Sequence, residues 1–218
     1  MRKIFLLLSG LALVAGLALW RFWPAAPPAG TMTFVLAGHS LRFPADYVRM
    51  TDAPDPERVD LVALAPDFTP GAADPRRLPA PGEAGPKGRA QIFLSITPAP
   101  KSDGSADAAS PAERYGPYLA SEAQVTEGGL LRRRFEDSSP YAGEDLYLAP
   151  PDGEEFFARC ERPKIPSDGL PVACTSEFRV ENLQILARFD PVWLGEWSRL
   201  RANALLLVRG AMSPRQPK

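Results

Sequence analysis

Histidine is almost missing from this chain. His39 is the only one, so no Ser-His-Asp or Cys-His arrangement exists that does not run through it. It stands in Gly38-His39-Ser40, the tip of an expected hairpin, where a polar turn residue is the ordinary role. Cysteine is nearly as scarce. Cys160 and Cys174 are the only two, too few with one histidine to complete a four-ligand zinc site and too widely spaced for a Cys-x-x-Cys redox motif. There is no Gly-x-Ser-x-Gly elbow, phosphate loop or dinucleotide fingerprint. Neither sign of charge prevails: 25 Lys plus Arg face 26 Asp plus Glu, net −1, so nothing points to a nucleic-acid surface. The carboxylates form no marked pair. Glu154 and Glu155 are adjacent and would face opposite sides of a strand; Asp137, Glu144 and Asp145 flank turns; Asp52, Asp55 and Glu57 sit in a Pro-rich turn. All of them read as solvated. No reaction, metal or cofactor is indicated.

What is present is a targeting segment. Residues 4–20 are apolar and uncharged, preceded by Arg2 and Lys3 and closed by Arg21-Phe22-Trp23-Pro24. As a helix this run covers roughly 25 Å, and Phe22 and Trp23 extend it to the thickness of a bilayer core. Trp20 and Trp23 suit the interface, Arg21 can snorkel, and Pro24 with Pro27-Pro28 ends the helix. The positive cluster at the amino terminus orients it with that end in the cytoplasm. A peptidase site needs small residues after the apolar core, and here bulky residues and prolines follow. We therefore expect an uncleaved anchor at residues 1–23, with a cleaved signal as the alternative. A Pro/Ala-rich stalk at 24–30 follows. Enrichment in Ala, Arg and Pro with few Lys has the look of a GC-rich bacterial genome, which makes the outer side the periplasm and the membrane the inner one.

Both cysteines then lie in an oxidising compartment, and their even count and short spacing read as one disulfide, Cys160–Cys174, tying the facing ends of two strands. Residues 31–210 read as one α+β domain: a mainly antiparallel β-sheet with a carboxy-terminal amphipathic helix packed on it. Strands are expected at 31–36, 40–43, 59–65, 90–97, 130–136, 144–149, 154–160, 172–180 and 183–189, with a short helix at 112–121. Stretches dense in Pro, Gly and small polar residues at 66–88 and 98–111 predict long exposed loops. Asp190 caps and Pro191 starts the last helix, in which Trp193, Trp197, Leu200, Ala204, Leu207 and Val208 recur at helical spacing. Residues 211–218 read as a flexible tail.

Arg132-Arg133-Arg134 is the strongest charge run. In a strand, Arg132 and Arg134 share one face, while Arg133 joins Leu131 and Phe135 on the other. The run is a candidate contact for an anionic partner or lipid headgroups; the alternative is a set of edge charges that discourage sheet-to-sheet pairing.

Four short features carry a resemblance. Phe43-Pro44-Ala45-Asp46-Tyr47, Leu64-Ala65-Pro66-Asp67-Phe68, the Cys160/Cys174 pair and Phe189-x3-Trp193-x3-Trp197 together resemble uncharacterised single-pass, membrane-anchored periplasmic proteins of Gram-negative bacteria. Some small proteins of that build are immunity or accessory factors of secretion systems. The resemblance implies a non-catalytic, membrane-tethered binding domain with a protein partner in the periplasm. A carboxylate-based envelope hydrolase and a permanent structural subunit of an envelope complex are the alternatives. Immunoblots of fractionated cells should find the chain in the membrane fraction at its full-length mass; a shorter species free in the periplasm would show cleavage.

Overall fold

The computed structural model describes residues 30–49, 55–71, 91–100, 110–163 and 172–212. The expected anchor, most of the stalk, most of both long loops and the tail beyond Met212 lie outside them. Among the described residues no helix is long and apolar enough to cross a membrane.

In chain order the elements are β1 (Thr31–Leu36), β2 (His39–Pro44), β3 (Val59–Leu64), β4 (Thr69–Pro70) and β5 (Gln91–Pro98). Then come α1 (Pro111–Tyr115), β6 (Leu119–Val125), β7 (Leu131–Phe135), β8 (Glu144–Leu148), β9 (Phe157–Glu161), β10 (Cys174–Val180), β11 (Leu183–Phe189) and α2 (Trp197–Ala211). The described residues form two sheets. β1 and β2 make a hairpin, and the other strands make a nine-stranded sheet in the order β4-β3-β5-β11-β10-β9-β8-β7-β6, antiparallel throughout. The α+β expectation of an antiparallel sheet carrying a carboxy-terminal helix holds.

The sheet is covered diagonally. On one side, α2 presents Leu200, Ala204, Leu205 and Val208, and the hairpin presents Leu36, Leu41 and Phe43, to Leu61, Leu94, Ile96, Ile185 and Ala187. On the other side and toward the far end, Tyr115 of α1 packs with Leu119, Phe135, Leu146, Leu148 and Phe157. β9 shows the changeover: Ala158 and Cys160 belong to the first core and Phe157 to the second, as alternation along a strand requires. Trp197 clamps α2 at its start. Its Nε1–H donates to the Gly128 carbonyl at 3.0 Å, and its ring lies 5.2 Å from that of Phe156. Gly128 has φ +84°, and a Cβ there would meet the Gly195 carbonyl oxygen at 2.9 Å, so this approach requires glycine.

Several boundaries differ from expectation. The helix expected at 112–121 stops at Tyr115, and Gly116–Tyr118 is a 3-10 turn that passes into strand β6. Pro117 supplies no amide to continue the α-helix. Strand β6 gave no hydrophobic alternation because it is an edge strand, exposed from Ser121 to Val125. Ser110 caps α1 reciprocally with Glu113. The strand expected at 154–160 starts at Phe157; Gly153 N donates to the Ala149 carbonyl at 2.8 Å and Glu154 N to Asp152 Oδ1 at 3.0 Å, so Glu154 belongs to a turn. The segment expected to be all loop from 66 onward sends Phe68 into the core and pairs Thr69–Pro70 with β3. The final helix is preceded by a 3-10 turn, Pro191–Glu196, capped by Asp190 Oδ1, which accepts from Val192 N at 3.0 Å.

Cys160 and Cys174 are joined in a disulfide. They are direct partners in the β9–β10 ladder, with Cα atoms 4.0 Å apart and a sequence separation of 14. Replacing both by alanine should lower stability by roughly 3 kcal/mol in the chain-entropy account of a loop this long, read as a drop in the urea midpoint under oxidising conditions.

Candidate functional site

The arginine run lies on β7, between β6 and β8, so it does not line a sheet edge. Each guanidinium meets an acceptor of this chain. Arg132 Nε and Nη2 donate to Asp145 Oδ2 at 2.8 and 2.5 Å, and the hydrogen bond to Asp145 holds the guanidinium above its ordinary pKa. Arg133 Nη2 donates to the Ala120 carbonyl at 2.7 Å. Arg134 Nη2 donates to the Asp137 carboxylate at 3.0 and 3.2 Å; that bond, with Arg162 Nη2 at 3.4 Å, pulls the Asp137 carboxyl below its usual range.

Two residues expected to be solvated are buried. Asp145 is 3% exposed. Its carboxylate lies under Arg132, with Arg162 Nε 3.8 Å away, so it balances charge inside the sheet rather than marking a turn. His39 is 5% exposed. The hairpin turns on Ala37 and Gly38 alone, both at positive φ, which moves His39 out of the tip and into β2. There its Nε2 hydrogen-bonds Asn182 Oδ1, and Asn182 Nδ2 returns a bond to the Ala37 carbonyl at 2.8 Å. The single histidine ties the hairpin to the β10–β11 turn.

Where α2 covers one side of β3, β5 and β11, no helix or strand of the described residues lies on the opposite side. It holds a groove of about 400 Å³. Strand alternation makes its floor: Ile92, Leu94 and Ile96 point into the core, so Gln91, Phe93 and Ser95 point out. The ladders align Asp60 with Ser95 and Leu186, and Val62 with Phe93 and Arg188. Asp60 Oδ1 accepts from Arg58 Nε at 2.8 Å and from Ser95 Oγ at 2.5 Å, which raises the Arg58 pKa. Arg49 is anchored beside β3 by its own amide, which donates to the Asp60 carbonyl at 2.9 Å, and its guanidinium lies 5.8 Å over the Phe93 ring. A second groove of about 390 Å³ lies by α1, where Arg114 and Arg179 share the wall with Glu154 and Glu177.

No group of three or more His, Cys, Asp or Glu is placed to hold a metal ion among the described residues. In the larger groove the two carboxylates, Asp60 and Asp190, both bond groups of this chain. The polar positions of β5 and β11 were legible as the complement of the apolar alternation. The convergence of Arg49, Arg58 and Arg188 was not, because Arg49 and Arg58 flank a Pro/Asp-rich turn and meet Arg188 only across the assembled sheet.

Truncating Arg132 to alanine should cost about 2–3 kcal/mol, because it strands a buried carboxylate. Truncating Arg134, whose partner Asp137 is exposed, should leave the unfolding midpoint unchanged. Equal midpoints for the two variants would contradict the assignment of Asp145 as a buried anchor.

No protein-family model matches this sequence, and no curated protein does. Among solved structures, the fold is similar to that of an immunity protein of the Stenotrophomonas maltophilia type IV secretion system. The likeness has a TM-score of 0.59 at 19% identity and covers 86% of this chain and 95% of that one. At that identity the shared property is the fold.

Proposed function

We propose that this chain is a single-pass inner-membrane protein whose periplasmic domain binds a protein partner without catalysing a reaction, acting as an immunity factor of a secretion system. The observation that carries this is the fold likeness to an immunity protein across nearly its whole length. The apolar run at 4–20, with its basic start, is the basis for tether and orientation; the disulfide suits an oxidising compartment. Immunity is a matter of complementarity between surfaces, which needs a rigid scaffold and exposed polar relief. Here a disulfide-braced sheet supplies the first and its uncovered face the second.

The hydrolase alternative requires two carboxylates converging on a substrate space. The larger groove sets three arginines, Arg49, Arg58 and Arg188, among mostly apolar residues, and its Asp60 carboxylate is spent on Arg58 and Ser95, which favours the binding role.

The test is growth rescue. The product of each gene adjacent to this one is directed to the periplasm of a sensitive host. One of them should arrest growth, and co-expression of the full chain should restore it. Removing residues 1–23, which leaves the domain in the cytoplasm, should abolish protection. If no neighbour is toxic, or if none is neutralised, the immunity role is wrong.

A further inference from the structure

We infer that the groove on the open face of β3, β5 and β11 is the seat of an acidic segment of the protein partner, with a carboxylate held between Arg49 and Arg188 and an apolar neighbour on Phe93 and Leu186. This rests on the partner-binding role proposed above and names the surface and chemistry of that contact.

The groove has used its acceptors and kept donors in reserve. Its carboxylates are committed: Asp60 to Arg58 and Ser95, and Asp190 to the Val192 amide. Its donors are not. Arg49 is held by a ring face alone, and among the described residues it faces no carboxylate. Arg188 reaches only Glu161, at 3.7 Å, with both side chains more than half exposed. Gln91 Nε2 is buried in the groove wall without a hydrogen-bond partner. A buried amide donor left unpaired is unfavourable unless something arrives to accept from it. Two donor groups without a side-chain acceptor among the described residues, Arg49 and the Gln91 amide, and a third, Arg188, with one exposed partner at 3.7 Å, ask for carboxylate oxygens.

The placement favours one carboxylate rather than diffuse attraction. Arg188 is the direct cross-strand partner of Phe93, and Arg49 lies over the Phe93 ring, so the two guanidiniums flank one aromatic floor. Leu186, 37% exposed, extends that floor beside Ser95. A site with cationic walls and an apolar floor suits a protein segment carrying Asp or Glu next to an aliphatic side chain, and the open groove admits a chain passing through.

Fluorescence anisotropy on the full chain in mild detergent tests this. The probe is a short fluorescein-labelled peptide rich in glutamate with one leucine. It should bind saturably and more weakly as salt rises, and its counterpart with lysine for glutamate should not bind. The double variant R49E/R188E should weaken binding at least about tenfold, while R134E should leave it unchanged. Leu186→Glu supplies an internal carboxylate and should cause the same loss without touching either arginine, which guards against a folding defect in the double variant. The assignment is overturned by equal binding to parent and R49E/R188E, or by an equal loss in R134E. It is also overturned if free glutarate displaces the peptide at matching concentration, which would make the groove a small-acid site, or if the peptide is inert and the groove instead mediates self-association. Growth rescue that survives R49E/R188E would leave the immunity role standing and move its contact elsewhere.

Discussion

The unequal cover of the sheet governs this domain. Nine strands present two broad faces, and the described chain has few elements to lay on them: one long helix, one hairpin and one short helix. Burial of apolar area is the main stabilising contribution, so each covering element draws apolar residues to the strands beneath it. α2 and the hairpin do this on one side over β3, β5, β11 and β10; α1 does it on the other side over β6 to β9. The face that no described element covers carries polar and charged side chains among a few apolar ones. The Arg49–Phe93–Arg188 surface is therefore a consequence of where α2 sits.

Charge inside the domain follows the same division. Where a carboxylate is buried, as at Asp145, an arginine on the next strand accompanies it. A buried ion must be paired, or burial becomes too costly. Arg159 is placed similarly in the second core, 4.9 Å from the Tyr141 ring and 3.2 Å from Glu144. Nearby, burial pushes the Tyr115 phenol above its ordinary pKa, so it remains neutral and serves as an aromatic wall. In the groove, by contrast, Arg49 faces no carboxylate among the described residues and Arg188 reaches only Glu161, at 3.7 Å.

Particular elements show why parts of this were readable in advance. β11 was clear because Leu183, Ile185, Ala187 and Phe189 recur at every second position and all four are buried. The start of the last helix was clear because Asp190 and Pro191 are local capping chemistry. β6 was hidden because an exposed edge strand needs no apolar period. His39 was misplaced by one residue of turn length: a two-residue turn puts it in the ladder, a three-residue turn at the tip, and the difference depends on Ala37 adopting positive φ, which alanine seldom does.

By itself the sequence determined what acts locally or by count: the strands with a buried face, the caps, the cysteine pairing, and the poverty of histidine and cysteine that removes whole classes of chemistry. Those features depend on residues near one another in the chain or on composition. Tertiary structure alone decided that Arg132 meets Asp145, that His39 reaches Asn182, and that Arg49, Phe93 and Arg188 share one surface. These meetings are set by strand order and register in a nine-stranded sheet. The period-two pattern of each strand says which side it turns inward, but not which strands lie beside it.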